Sequence, residues 1–119
     1  MEFITRNGRI VAVIDKSFKI GDVQAVLDLM ADARYSGGST AMAVYKESLA
    51  EDFFDLKTGF AGEVLQKFSN YRFKLAIVGD FSVYGSKALR DFIYESNKGN
   101  LVFFKASLEE ALDVLTQDR

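Results

Sequence analysis

The chain of 119 residues contains no cysteine, no histidine and no proline, and each absence removes a class of chemistry. Without cysteine there is no disulfide, no thiolate zinc site and no sulfur nucleophile. Without histidine there is no Ser-His-Asp triad, no imidazole acid–base pair and no imidazole metal ligand. Any metal would have to be a hard cation held by carboxylates. Without proline, glycine and small polar residues must make every turn.

Other features are scarce rather than missing. No apolar run approaches the ~20 residues that span a bilayer, so no membrane association is expected. Net charge is −2 and no basic block stands out, which leaves a nucleic-acid surface without support. The opening MEFITRNGRIVAVID places Glu2, Arg6 and Arg9 where a signal peptide needs apolar residues, so a cytoplasmic location is the default expectation. What remains is a chain with 49% apolar residues and 27% charged ones, a balance that suits one globular domain over residues 1–119 rather than disorder.

Periodicity then supplies the elements. Glu2 to Arg6 and Arg9 to Ile14 read as two strands joined by Asn7-Gly8, the strongest two-residue hairpin signal. The second strand carries the unbroken apolar run IVAVI and should be covered on both faces. From Asp22, a plausible N-cap, Val23, Val26, Leu27 and Met30 recur at helical spacing until SGGS at 36–39 stops the helix. Thr40 to Tyr45 is a buried strand, and Phe60, Ala61, Val64, Leu65 and Phe68 line one side of a second helix. Phe73 to Gly79 has the composition of an interior parallel strand. Ser86 caps a third helix with Leu89, Phe92 and Ile93 inward, and Gly99 stands where a left-handed C-cap is expected. LVFF at 101–104 is the last strand. Ser107-Leu108-Glu109-Glu110 has capping-box spacing and opens a terminal helix through Leu115.

The order β-β-α-β-α-β-α-β-α predicts an α/β fold with a mostly parallel, mixed sheet that starts with an N-terminal hairpin. In such sheets ligands gather beyond the carboxyl ends of the strands. Candidate residues are therefore expected there.

Lys57-Thr58-Gly59 opens the second helix. Thr58 fits an ordinary N-cap. The same geometry fits an anion or phospho-acceptor site, with Lys57 adding positive charge and Gly59 allowing close approach. Asp55, Glu63 and Asp80 are carboxylates on or near the same rim, and they would form a magnesium site only if they converged. Asp80-Phe81-Ser82 equally fits the start of a turn. Phe81 and Tyr84 fall in a loop, where they form a partner surface if exposed and a seal for the sheet end if folded inward. No Gly-x-Gly-x-x-Gly and no Gly-Lys-Ser/Thr occurs, so no cofactor is implied.

Two resemblances rest on these residues. The strand and helix order is similar to the STAS domain of bacterial anti-sigma factor antagonists such as SpoIIAA. In that family an Asp-Ser-Ser-Gly turn carries the phospho-acceptor serine, and Phe54-Asp55-Leu56-Lys57-Thr58-Gly59 resembles it with Thr58 at the acceptor position. The segments DFFDLKTGFAGEVLQKFSNYRFKLAIVGDFS and SKALRDFIYESNKG resemble the uncharacterised bacterial family called domain of unknown function 4180.

The readings that follow are three. A non-enzymatic, regulatory interaction module with a protein partner comes first, a small-ligand or nucleotide sensor second, and an enzyme last, because no complete catalytic constellation is present. Homodimerisation through an edge strand or the aromatic loop is open at this point.

Overall fold

The computed structural model describes residues 1–117. Five strands form one sheet in the order β1-β2-β3-β4-β5: β1 (Glu2–Arg6), β2 (Arg9–Val13), β3 (Ala41–Tyr45), β4 (Lys74–Val78) and β5 (Val102–Lys105). Helices α1 (Val23–Gly37), α2 (Phe60–Asn70) and α3 (Lys87–Lys98) connect successive parallel strands, and α4 (Leu108–Leu115) follows the last. The hairpin is antiparallel, with Arg6 opposite Arg9 across a turn in which Asn7 has φ 52° and Gly8 φ 74°. The other pairings are parallel.

Because neighbouring strands are consecutive, crossovers of one hand carry all three connecting helices to the same face. The side chains divide accordingly. Ala12, Ile14, Met42, Val44, Leu75, Ile77, Val102 and Phe104 face the core shared with α1, α2 and α3. The alternate residues Val11, Val13, Ala41, Ala43, Ala76, Val78 and Phe103 face Ala111, Leu112 and Leu115 of α4. The continuous apolar runs of β2, β3 and β4 follow from this double coverage.

The helix signals act as their chemistry dictates. The carboxylate of Asp22 accepts from Ala25 N–H, Ser86 Oγ from Leu89 N–H, and Ser107 Oγ from Glu110 N–H, while Ser107 Oγ also donates to the Glu110 carboxylate. Gly38, in a left-handed conformation, ends α1. Gly99 does not adopt the left-handed cap expected of it. Its φ is −86°, because the chain leaves α3 extended to enter β5.

The segment between β3 and α2 forms three short 3-10 turns at Lys46–Ser48, Glu51–Phe54 and Leu56–Thr58. Buried Phe53 and Phe54 pin this segment to the core. Ile20, past the end of β2, pairs with Leu49 beside it, with Ile20 N–H donating to Ser48 O at 2.7 Å. Two stretches beyond the carboxyl ends of the strands are thereby stitched together.

Candidate functional site

Thr58 sits at the end of the third 3-10 turn, exposed to solvent. It is not the N-cap of α2. Gly59 takes that position with φ 80°, a conformation that a side chain would strain, and it offers no capping side chain. Thr58 instead braces the turn before the helix. Its Oγ1 donates to Asp52 O at 2.7 Å and Asp55 O at 2.9 Å, sharing one proton, and accepts from Phe60 N–H at 3.2 Å. Thr58 is thus an exposed residue whose hydroxyl spends its hydrogen-bonding capacity on the backbone around it.

Asp55 accepts from the backbone N–H of Lys57 at 3.3 Å and so caps the same turn. Lys57 is exposed, and Glu63 is exposed in the first turn of α2, where its charge complements the helix dipole. Asp55, Lys57, Thr58 and Gly59 therefore form one compact turn.

Asp80 lies beyond the end of β4. Its carboxylate accepts from Ser82 N–H at 2.9 Å and Ser82 Oγ at 2.6 Å, the turn that its sequence admitted as an alternative to a functional role. Asp15, beyond the end of β2, makes the same arrangement with Ser17 at 2.8 and 2.6 Å. In both cases the serine hydroxyl is the largest reason that the carboxyl group titrates below its ordinary range. Among the described residues no group of three carboxylates is placed to hold a metal, so Asp55, Glu63 and Asp80 do not converge.

Phe81 and Tyr84 turn inward rather than forming an exposed aromatic patch. The Phe81 ring meets Phe104 edge-on at 5.2 Å, and Tyr84 stacks on Phe54 at 4.9 Å with 15° between planes. Phe54 belongs to the second 3-10 turn, so this stacking joins the loop after β4 to the segment that carries Thr58. Burial raises the Tyr84 phenol above its ordinary range, with Glu51 and Glu47 adding to the effect.

Lys46 completes the join. Its ammonium donates to Asp80 O at 3.1 Å and lies 5.0 Å from the centre of the Tyr84 ring. Its stem crosses Gly79 so closely that a Cβ there would lie 2.6 Å from Lys46 Cβ. Sequence reasoning passed over Lys46, although a glycine closing an apolar strand is a signal of close approach. It also passed over the second Asp-x-Ser turn at Asp15.

A separate cleft of about 410 Å³ opens at the carboxyl ends of β2 and β3, lined by Glu2, Val13, Asp15, Lys16 and Tyr45 among others. The Lys16 ammonium rests 4.9 Å from the Tyr45 ring centre at its mouth. The rim therefore holds a braced turn, a packed aromatic loop and an open cleft. On this rim Asp15 and Asp80 titrate below, and Tyr84 above, their ordinary ranges, away from the neutral pH that suits a general acid or base.

No helix among the described residues is long and apolar enough to cross a membrane. Searches of curated proteins and of solved structures return no match. A family model covers residues 5–115, which takes in every helix described above and all of the sheet except the first three residues of β1, and the chain belongs to that family, Domain of unknown function (DUF4180).

Proposed function

We propose that the chain is a STAS-like interaction module, without catalysis of its own, that meets a protein partner through the Asp55–Gly59 turn and the adjoining loop after β4. One observation carries this reading: Thr58 is exposed, yet its hydroxyl fixes the turn by binding two carbonyls and one N–H. A surface held in one conformation before association loses little entropy when a partner docks. Phe53 and Phe54 fix the segment from beneath, and Lys46 ties it to the loop that carries Asp80.

The same bonding gives Thr58 the form of a switch. Phosphorylation would remove its proton, abolish both bonds to carbonyls and set a dianion beside the Asp52 and Asp55 carbonyl oxygens. The braced turn would then open. Lys57 offers the nearest compensating charge in sequence.

The experiment places a photo-crosslinking residue at Lys57 in the native host and a second one at Gln24, an exposed position on α1. A protein captured from position 57 and absent from position 24, with capture lost in Thr58→Asp, supports the module. Equal capture from both positions argues against it. Intact-mass measurement of the protein from its host reads modification at Thr58 independently.

The cleft beside Lys16 and Tyr45 favours a second reading, a small-ligand or nucleotide sensor, because such sites lie at strand carboxyl ends. Thermal-shift screening against nucleotides and metabolites tests it. A flat response across a broad panel counts against that reading.

A further inference from the structure

The two edges of the sheet are treated differently. At β5 the side-chain amide of Asn97 accepts from Phe104 N–H at 2.8 Å and donates to Phe104 O at 3.3 Å, occupying the groups that another strand would use. β1 stands at the opposite end of the strand order with β2 on one side only.

The hairpin decides which groups of β1 face outward. Arg6 and Arg9 flank a two-residue turn, so that pair exchanges both hydrogen bonds, and bonded pairs recur at Ile4–Val11 and Glu2–Val13. Phe3 and Thr5 therefore direct their N–H and C=O groups away from β2. Phe3 is held in place by its ring, which lies over Gly37 at the end of α1. Ile4 packs on the α4 side of the sheet.

We propose that β1 pairs with β1 of a second copy of this chain, antiparallel and centred on Ile4, to give one continuous ten-stranded sheet. The centre is set by two independent complementarities. Placing Ile4 opposite Ile4 sets Phe3 opposite Thr5, and these are the residues whose backbone groups face outward, so every such group finds a partner. The same centre sets Glu2 opposite Arg6 of the second copy twice, both on the α4 face. Shifting the register by one residue would break both matches.

The charges support this arrangement. Arg6 already donates to Glu109 and Asp113 through its two terminal nitrogens, at 2.8 to 2.9 Å. Its Nε–H is engaged by neither and remains for a carboxylate arriving along the strand. Glu2 is exposed and forms no ion pair among the described residues. The second copy would supply its cation.

The test uses the full chain in sedimentation velocity and in hydrogen exchange read residue by residue. The wild type is expected to be a dimer, with Phe3 and Thr5 amides gaining protection as protein concentration rises. Thr5→Pro deletes one outward N–H at a position where an edge strand tolerates proline, and should give a monomer with unchanged far-UV circular dichroism. Glu2→Arg should raise the dissociation constant by about tenfold, because two attractive cross-strand pairs become repulsive. A monomeric wild type overturns the proposal. So does a dimer in which the Phe3 and Thr5 amides exchange freely, or one that Glu2→Arg leaves unchanged. If Thr5→Pro fails to fold, the exchange and Glu2→Arg measurements decide.

Discussion

Asn97 binds both backbone groups of Phe104 with one side-chain amide, so a residue at the end of α3 acts as a short substitute strand along β5. Replacing it with alanine leaves the N–H and C=O of a half-covered edge without their partner, a cost of about 1–2 kcal/mol. Urea unfolding should show this loss for Asn97→Ala. Asn97→Asp should be no better than alanine, because it keeps an acceptor for Phe104 N–H but sets a carboxylate against Phe104 O. Increased self-association of Asn97→Ala, read by light scattering, would mark β5 as an edge that this amide protects.

Gly79 and Lys46 give a second prediction, argued from space rather than hydrogen bonding. A methyl group at Gly79 would lie 2.6 Å from Lys46 Cβ, which is the root of that side chain and cannot swing aside. Gly79→Ala should therefore destabilise by about 1–3 kcal/mol, as overpacking does. Lys46→Gly removes the obstruction, so in the double variant the glycine-to-alanine step should cost much less. Denaturant unfolding of the four proteins forms a double-mutant cycle, and strict additivity would contradict the contact.

The hydroxyl of Thr58 stabilises its turn whether or not a partner uses it. Thr58→Val keeps the shape and loses the bonds to Asp52 O, Asp55 O and Phe60 N–H, for an expected loss of about 1 kcal/mol at an exposed site. Thr58→Ser should stay close to wild type. A serine variant that unfolds before the valine variant would assign the stabilisation to the methyl group.

The outline of the fold was legible because its signals are local and periodic. Asn7-Gly8 announces the hairpin, Asp22, Ser86 and Ser107 cap the helices they precede, and the IVAVI and LAIVG runs mark doubly covered strands. The rim was less legible for the same physical reason. Thr58 before an apolar helical pattern looks like a cap, and only the left-handed backbone at Gly59 moves it one place outside. Phe81 and Tyr84 lie in a loop, yet their rings find Phe54 and Phe104 from elements far away in sequence. No spacing rule encodes that meeting. Asn97 likewise reads as helix-end polarity, since its partner is set by the return path into β5.

The paired turns at Asp15 and Asp80 make a prediction about acid. Each carboxylate accepts from the N–H and Oγ–H of the serine two residues on, and the hydroxyl bond is the main reason that both titrate below the ordinary 3.8. A carboxyl group whose folded value is depressed adds stability above its unfolded value. That contribution disappears as pH falls through the folded value. These turns should therefore hold at neutral pH and weaken as pH drops below 3.8. Ser17→Ala combined with Ser82→Ala removes the hydroxyl bonds, so the double variant should melt below wild type at neutral pH. The gap should close in acid, because protonation costs the wild type the advantage that the variant already lacks. Thermal unfolding of both proteins from about pH 2 to about pH 7 reads the difference directly. A gap that stays constant over that range would mean that the two hydroxyls stabilise their turns without regard to the charge on the carboxylates.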